Sequence, residues 1–221
     1  MFKTCILKRR FFLFNDLGEA AEYLLQKKGV WVSGNAETFI SESSVFDNDL
    51  LNFYCDGVGA SYFVHKKTKV FPKKIPGCEL WLELLKKCGN KKFAIIGSTD
   101  DVLTTVVHKL DSKNLVYYRN GYFSERDWLA VSDELKESKA EIVFLAMGQP
   151  LQEKFSLYLY DPKILYLPIG GSLDLFAGKV FRAPMFMRKV HLEWLYRLLI
   201  EPRRFKRYLK LFKFIPAYIK L

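Results

Sequence analysis

The chain of 221 residues is half hydrophobic, enough for one sizeable α/β domain plus an appendage and too apolar for a disordered chain. Its formal charge of +11 is unevenly placed. Residues 179–221 carry twelve basic side chains against Glu193 and Glu201, a net of +10, whereas the first 178 residues carry 23 basic and 22 acidic groups. A cationic end of this kind suits nucleic acid, an anionic membrane surface or a phosphorylated ligand, and composition alone does not choose among them.

In chain order, Lys8-Arg9-Arg10 interrupts the apolar residues near the start, so no secretory leader is expected there. The spacing of Leu17, Ala20, Ala21, Leu24 and Leu25 predicts a helix over 17–28 that ends at Gly29. Short apolar strands are expected at Val30–Ser33 and Asn52–Cys55, the second running into Asp56-Gly57-Val58-Gly59 and a helix through His65. A basic loop, Lys66–Lys74, precedes an amphipathic helix over Cys78–Cys88. The runs Lys92–Gly97, Leu115–Arg119, Glu141–Gly148 and Ile164–Gly170 read as strands, with helices near 100–110, 125–138 and 151–160 between them. This alternation predicts a mostly parallel sheet with helices on both faces. From Pro184 the pattern turns helical and basic, with Pro202 suited to the first turn of a new helix. Two units are therefore expected, an α/β domain over 1–183 and a basic helical appendage over 184–221.

Sheets of this class bind ligands at the carboxyl ends of their strands. The polar and glycine-rich segments fall at those ends: Ser33-Gly34-Asn35, Asp56-Gly57, Gly97-Ser98-Thr99, Gly148-Gln149-Pro150 and Gly170-Gly171-Ser172. Each has a bland reading beside the chemical one. Asp56 suits a general base and equally a helix N-cap. Ser33 and Asn35 suit contacts to sugar hydroxyls, or capping of the next helix. Gln152 and Glu153 in a first helical turn are capping or dipole partners as readily as ligands. Backbone N–H groups at Gly170-Gly171-Ser172 suit phosphate, although neither a Walker loop nor a full dinucleotide fingerprint is present. The four cysteines and three histidines lie at irregular spacings that argue against a zinc site, and the four tryptophans read as core or interface residues. No stretch approaches the roughly 20 apolar residues of a membrane-spanning helix. Arg197, Arg204 and Arg207 would share a face on a continuous helix, which a kink at Pro202 would disturb, and their planar forks suit a diphosphate. Leucines, phenylalanines and tyrosines interleaved with these charges describe a helix lying in a membrane interface, or a solvated basic helix docked on its own domain.

Three blocks carry a specific resemblance: 148–154 (GQPLQEK), 171–184 (GSLDLFAGKVFRAP) and 192–204 (LEWLYRLLIEPRR). In order and spacing they resemble the WecG/TagA/CpsF family of bacterial glycosyltransferases, with looser agreement through Ser33-Gly34-Asn35-Ala36, Asp56-Gly57, Lys74-Ile75-Pro76-Gly77 and Gly121-Tyr122-Phe123. The resemblance implies an inverting, metal-independent transferase with no cofactor: a Rossmann-like sheet flanked by helices, and a basic helical C-terminal appendage that closes over the nucleotide sugar. It implies a UDP-sugar donor, N-acetylmannosamine, its uronic acid or another hexose, and an undecaprenyl-diphosphate-linked acceptor. The product would be capsule, teichoic acid or another surface polysaccharide. By motif match Asp56 takes the place of the base, while Ser33, Asn35, Lys74, Gln152 and Gly171 line the sugar-nucleotide pocket. Arg197, Arg204 and Arg207 then hold the diphosphate. The implied place is the cytoplasmic side of the bacterial membrane, held peripherally on inner-leaflet anionic lipids without nucleic acid; a homo-oligomer stays open. Ser33 stands where threonine is usual, Lys74 where arginine is common and Asn120 where histidine is frequent. Asp47-Asn48-Asp49 has the form of a metal-binding DxD but sits in a loop with no matching role. The alternative class is a non-enzymatic nucleotide- or anion-binding module whose tail holds nucleic acid or membrane.

Overall fold

A computed structural model of the protein describes residues 1–185 together with Met187, Leu195, Tyr196 and Leu198. It opens with a hairpin of two strands, β1 (Phe2–Ile6) and β2 (Arg9–Leu13), paired antiparallel. Sequence patterning places no strand here, because the basic triplet interrupts the apolar residues. The structure shows why that reading misses. Leu7 and Lys8 turn the chain with φ of 48° and 66°, and Arg9 points inward, 6% exposed, ion-paired to Asp47 at 3.1 Å and stacked over the Phe46 ring. Asp47 of the DxD-like triplet is therefore engaged with Arg9.

The remaining elements follow the expected alternation. Helix α1 (Leu17–Lys27) is capped by Asp16, whose carboxylate accepts from the Glu19 N–H at 2.8 Å. Then come β3 (Gly29–Gly34), α2 (Ala36–Ile40), β4 (Leu51–Cys55), α3 (Gly57–Thr68) and α4 (Gly77–Lys87). The second half adds β5 (Phe93–Gly97), α5 (Asp100–Leu110), β6 (Leu115–Arg119), α6 (Trp128–Ser138), β7 (Ile142–Ala146), α7 (Leu151–Tyr158), β8 (Leu165–Pro168) and α8 (Ser172–Ala177).

The strands form one sheet in the order β1-β2-β4-β3-β8-β7-β5-β6. Every neighbouring pair is parallel except the β1–β2 hairpin at one edge. The fold is thus α/β, with a mixed, mostly parallel sheet flanked by helices. Central strands β5 and β7 are buried along their whole length, which explains their uninterrupted apolar sequences. One face packs Phe39, Phe63, Val131 and Phe155 from α2, α3, α6 and α7. The other packs Ala21, Leu24, Trp81, Val106 and Leu173 from α1, α4, α5 and α8. Trp31, Trp81 and Trp128 are buried, as core residues should be; Trp194 lies outside the described residues. Among the described residues no helix is long and apolar enough to cross a membrane.

The strand order creates a switch point. From β3 the chain moves to β4 on one side, whereas β8 is reached from β7 on the other. Pairing between β3 and β8 covers only Gly29↔Leu165 and Val30↔Tyr166, at the amino ends. Ladder pairing between them stops there, and the crevice expected of such sheets lies above it, at the carboxyl ends of β3 and β8.

Candidate active site

Residues from five loops meet along this carboxyl edge. Strands β3 and β4 run in register with Ser33 opposite Tyr54 and Gly34 opposite Cys55. That pairing sets Ser33 beside Asp56, 23 positions later in the chain. Asp56 stands at the N-cap position of α3, yet its side chain makes no capping bond. Its Oδ2 instead accepts from the Ser33 hydroxyl at 2.9 Å and from the Gly77 N–H at 3.1 Å. The capping reading of Asp56 therefore fails on geometry. Two donors from separate elements orient a carboxylate that is only partly buried.

Asn35 does what a cap does. Its Oδ1 accepts from the Thr38 N–H at 3.1 Å, and the Thr38 hydroxyl accepts from the Asn35 N–H at 3.4 Å, a reciprocal capping box. The remaining Nδ2 donates to Ser33 Oγ at 3.5 Å. Asn35, Ser33 and Asp56 thus form a short directed chain, with the serine hydroxyl pointed at the carboxylate.

Gly77 is required where it sits. A Cβ there would come within 2.8 Å of the Tyr54 hydroxyl and 3.4 Å of Asp56 Oδ2. Tyr54 is fully buried, and its hydroxyl has no hydrogen-bond partner among the described residues. Burial first, then the charges of Asp56, Cys78 and Glu153, push its phenol well above the usual range, so it stays a neutral donor. Lys74 is exposed on the segment leading into Gly77, which is tied to the sheet by the Ile75 N–H to the Cys55 carbonyl at 2.8 Å. Burial pushes the Cys55 thiol up to about 12, with Lys74 opposing weakly, so this cysteine is no nucleophile at neutral pH.

Across the crevice, the β7–α7 turn passes through a cis Gln149–Pro150 bond. Gln152 is 3% exposed and works as a strut: its Oε1 accepts from the Gly170 N–H at 3.1 Å and its Nε2 donates to Glu153 Oε1 at 2.9 Å. Glu153 is completely buried, and its second oxygen, Oε2, has no partner among the described residues. Burial pushes its carboxyl up to about 7. Gly170 takes φ +51°, whereas a Cβ at Gly171 would meet only Asp174 Oδ2 at 3.8 Å. The Ser172 hydroxyl turns inward to the Ile169 carbonyl.

The last continuously described residues lie against α4. Arg182 bonds Glu79 on α4 at 2.6 Å and Ala183 is buried, anchoring the end of the described domain to the helix whose first residue donates to Asp56. Arg197, Arg204 and Arg207 lie outside the described residues.

The family model described as the glycosyl transferase WecG/TagA/CpsF family matches residues 15–220, nearly the whole chain. The protein belongs to this family. It is accordingly a glycosyltransferase, and Asp56, Ser33, Asn35 and Gln152 of this WecG/TagA/CpsF member gather at one edge of its sheet. Sequence reasoning passes over Tyr54 as an ordinary strand residue and treats Glu153 as a dipole partner. The signal that could have found them is the placement of a tyrosine and a glutamate close beside the matched positions Asp56 and Gln152. Farther along the same edge, a hollow of about 340 Å³ is lined by Asp100, Thr104, Tyr118, Arg119, Asn120 and Tyr122. Asn120 there donates to Asp100 at 2.9 Å, and the Tyr122 N–H donates to the Asn120 side chain at 3.0 Å.

Proposed function

We propose that the protein transfers a hexose from a UDP-sugar, with inversion, to a polyprenyl-diphosphate-linked sugar at the inner face of the bacterial membrane, for capsule, teichoic acid or a related surface polymer. One observation carries the reading: a carboxylate at the N-terminus of α3 that makes no side-chain cap bond to that helix and is instead aimed by Ser33 and Gly77. Asp56 takes the proton of the acceptor hydroxyl as that oxygen bonds to the anomeric carbon. The bond from the anomeric carbon to the diphosphate breaks, and its electron pair leaves with UDP. Arg197, Arg204 and Arg207 of the appendage (184–221) neutralise the leaving charge, taking the part a divalent cation plays elsewhere. N-acetylmannosamine and its uronic acid are the first donors to try.

The test reads UDP release from a panel of UDP-sugars with a lipid-diphosphate N-acetylglucosamine acceptor. Asp56→Ala should lower kcat by about 10²–10⁴ while the thermal unfolding curve stays in place. Full transfer by a folded Asp56→Ala variant refutes the base assignment. A reading as a non-enzymatic anion-binding module predicts no turnover with any donor.

A further inference from the structure

The basic loop of the sequence, Lys66–Lys74, is a surface with a defined shape. It contains five lysines and no acid. Helix α3 ends at Lys69, in a left-handed conformation with its N–H on the His65 carbonyl at 2.7 Å, and the chain then turns outward through Val70 and Phe71. Both side chains are 59% exposed, and Tyr62 beside them is 48% exposed. The Phe71 ring is braced, stacked on His65 at 3.8 Å and met edge-on by Tyr62 at 5.9 Å. An exposed apolar tip thus stands on a segment whose Lys67, Lys69 and Lys73 are exposed as well.

We propose that this Lys67–Phe71–Lys73 wedge is a docking surface for an anionic lipid bilayer, separate from the C-terminal tail, that seats the sugar-transfer site on the membrane. Charge decides the occupant. A second copy of the chain docked face to face would set lysines against lysines. The partner is therefore anionic. A phosphate polymer gains nothing from Val70, and one face of Phe71 is already covered by His65, which leaves it poorly placed for base stacking. A bilayer uses every part: the apolar tip enters the acyl boundary while lysine stems run alongside and their ammonium groups meet the headgroups. The wedge is also continuous with the site. Gly77, the Asp56 donor, lies six positions beyond Phe71, a span of at most about 20 Å, so a sugar carried at headgroup level lies within reach of Asp56. This rests on the proposed lipid-linked acceptor for its purpose, not for its geometry.

The test uses the full chain and vesicles of phosphatidylglycerol and phosphatidylethanolamine, with or without brominated acyl chains. Phe71→Trp adds an emission that should shift to the blue on the vesicles and be quenched by bromine. Leu129→Trp, an exposed position on α6, should add one that is not. Vesicles that float the protein but leave the added emission of the Phe71→Trp variant unchanged overturn the proposal, as does an emission that responds to an RNA oligonucleotide and not to lipid. A Val70→Asp/Phe71→Asp double variant should lower transfer to a vesicle-embedded acceptor by about tenfold or more while sparing a water-soluble acceptor. Equal loss on both acceptors also overturns it. Failure of the wild type on both acceptors, with bromine quenching of the Phe71→Trp variant intact, sinks the transfer reading and leaves the wedge standing.

Discussion

Replacing Glu153 with glutamine keeps the size of the side chain and an oxygen to accept from Gln152 Nε2, and removes one thing, the ability to ionise. In the folded protein burial holds this carboxyl at about 7, against 4.5 for an ordinary glutamate. The folded state therefore binds the proton more tightly than the unfolded chain. Its contribution is fully present below about pH 4.5 and is lost as pH rises through about 7, where a buried charge must form. That difference corresponds to roughly 3 kcal/mol. Urea unfolding of wild type and Glu153→Gln between about pH 4.5 and 8 isolates the effect, because every other titrating group is common to both. At about pH 4.5 the two should agree within about 1 kcal/mol. By about pH 8 the variant should have gained roughly 3 kcal/mol relative to wild type. A stability difference that does not change with pH would falsify the assignment of Glu153 as a buried, proton-holding carboxyl.

Gly77→Ala drives a methyl group against the Tyr54 hydroxyl at 2.8 Å and toward Asp56. It should cost about 1–3 kcal/mol in urea unfolding and lower kcat as well, by displacing the Asp56 donor; wild-type values for both contradict the packing described. Gln152→Ala leaves the Gly170 N–H and Glu153 Oε1 without these partners. It should lower the urea midpoint by the equivalent of about 2 kcal/mol or more, with an unchanged m-value. Unaltered stability with a raised KM for the donor would instead make Gln152 a ligand and not a strut.

Much of the fold was legible in the chain. The runs 93–97 and 142–146 are apolar throughout because both faces of those strands are covered, and short glycine-bounded runs alternating with helical periods leave few other architectures. The hairpin β1–β2 was not legible, since Arg9 inside the protein looks like Arg10 beside it until the Asp47 carboxylate is seen in place. The site divides in the same way. Asn35 caps its helix, as its type and position allow, and Asp56 does not, although both precede helices with the same local signals.

What the sequence determined by itself was the α/β alternation, the separation of a near-neutral body from a +10 end, and the three motif blocks of a glycosyltransferase family. These are short-range or additive properties, readable from neighbours and counts. Only the tertiary structure decided that Ser33 and Gly77 converge on the Asp56 carboxylate, that Glu153 is sealed from water, and that Lys66–Lys74 carries its apolar residues outward. Each of those depends on the order of strands in the sheet and on which loops it brings to one edge. No window of sequence contains that order, because it is set by how separated segments pack.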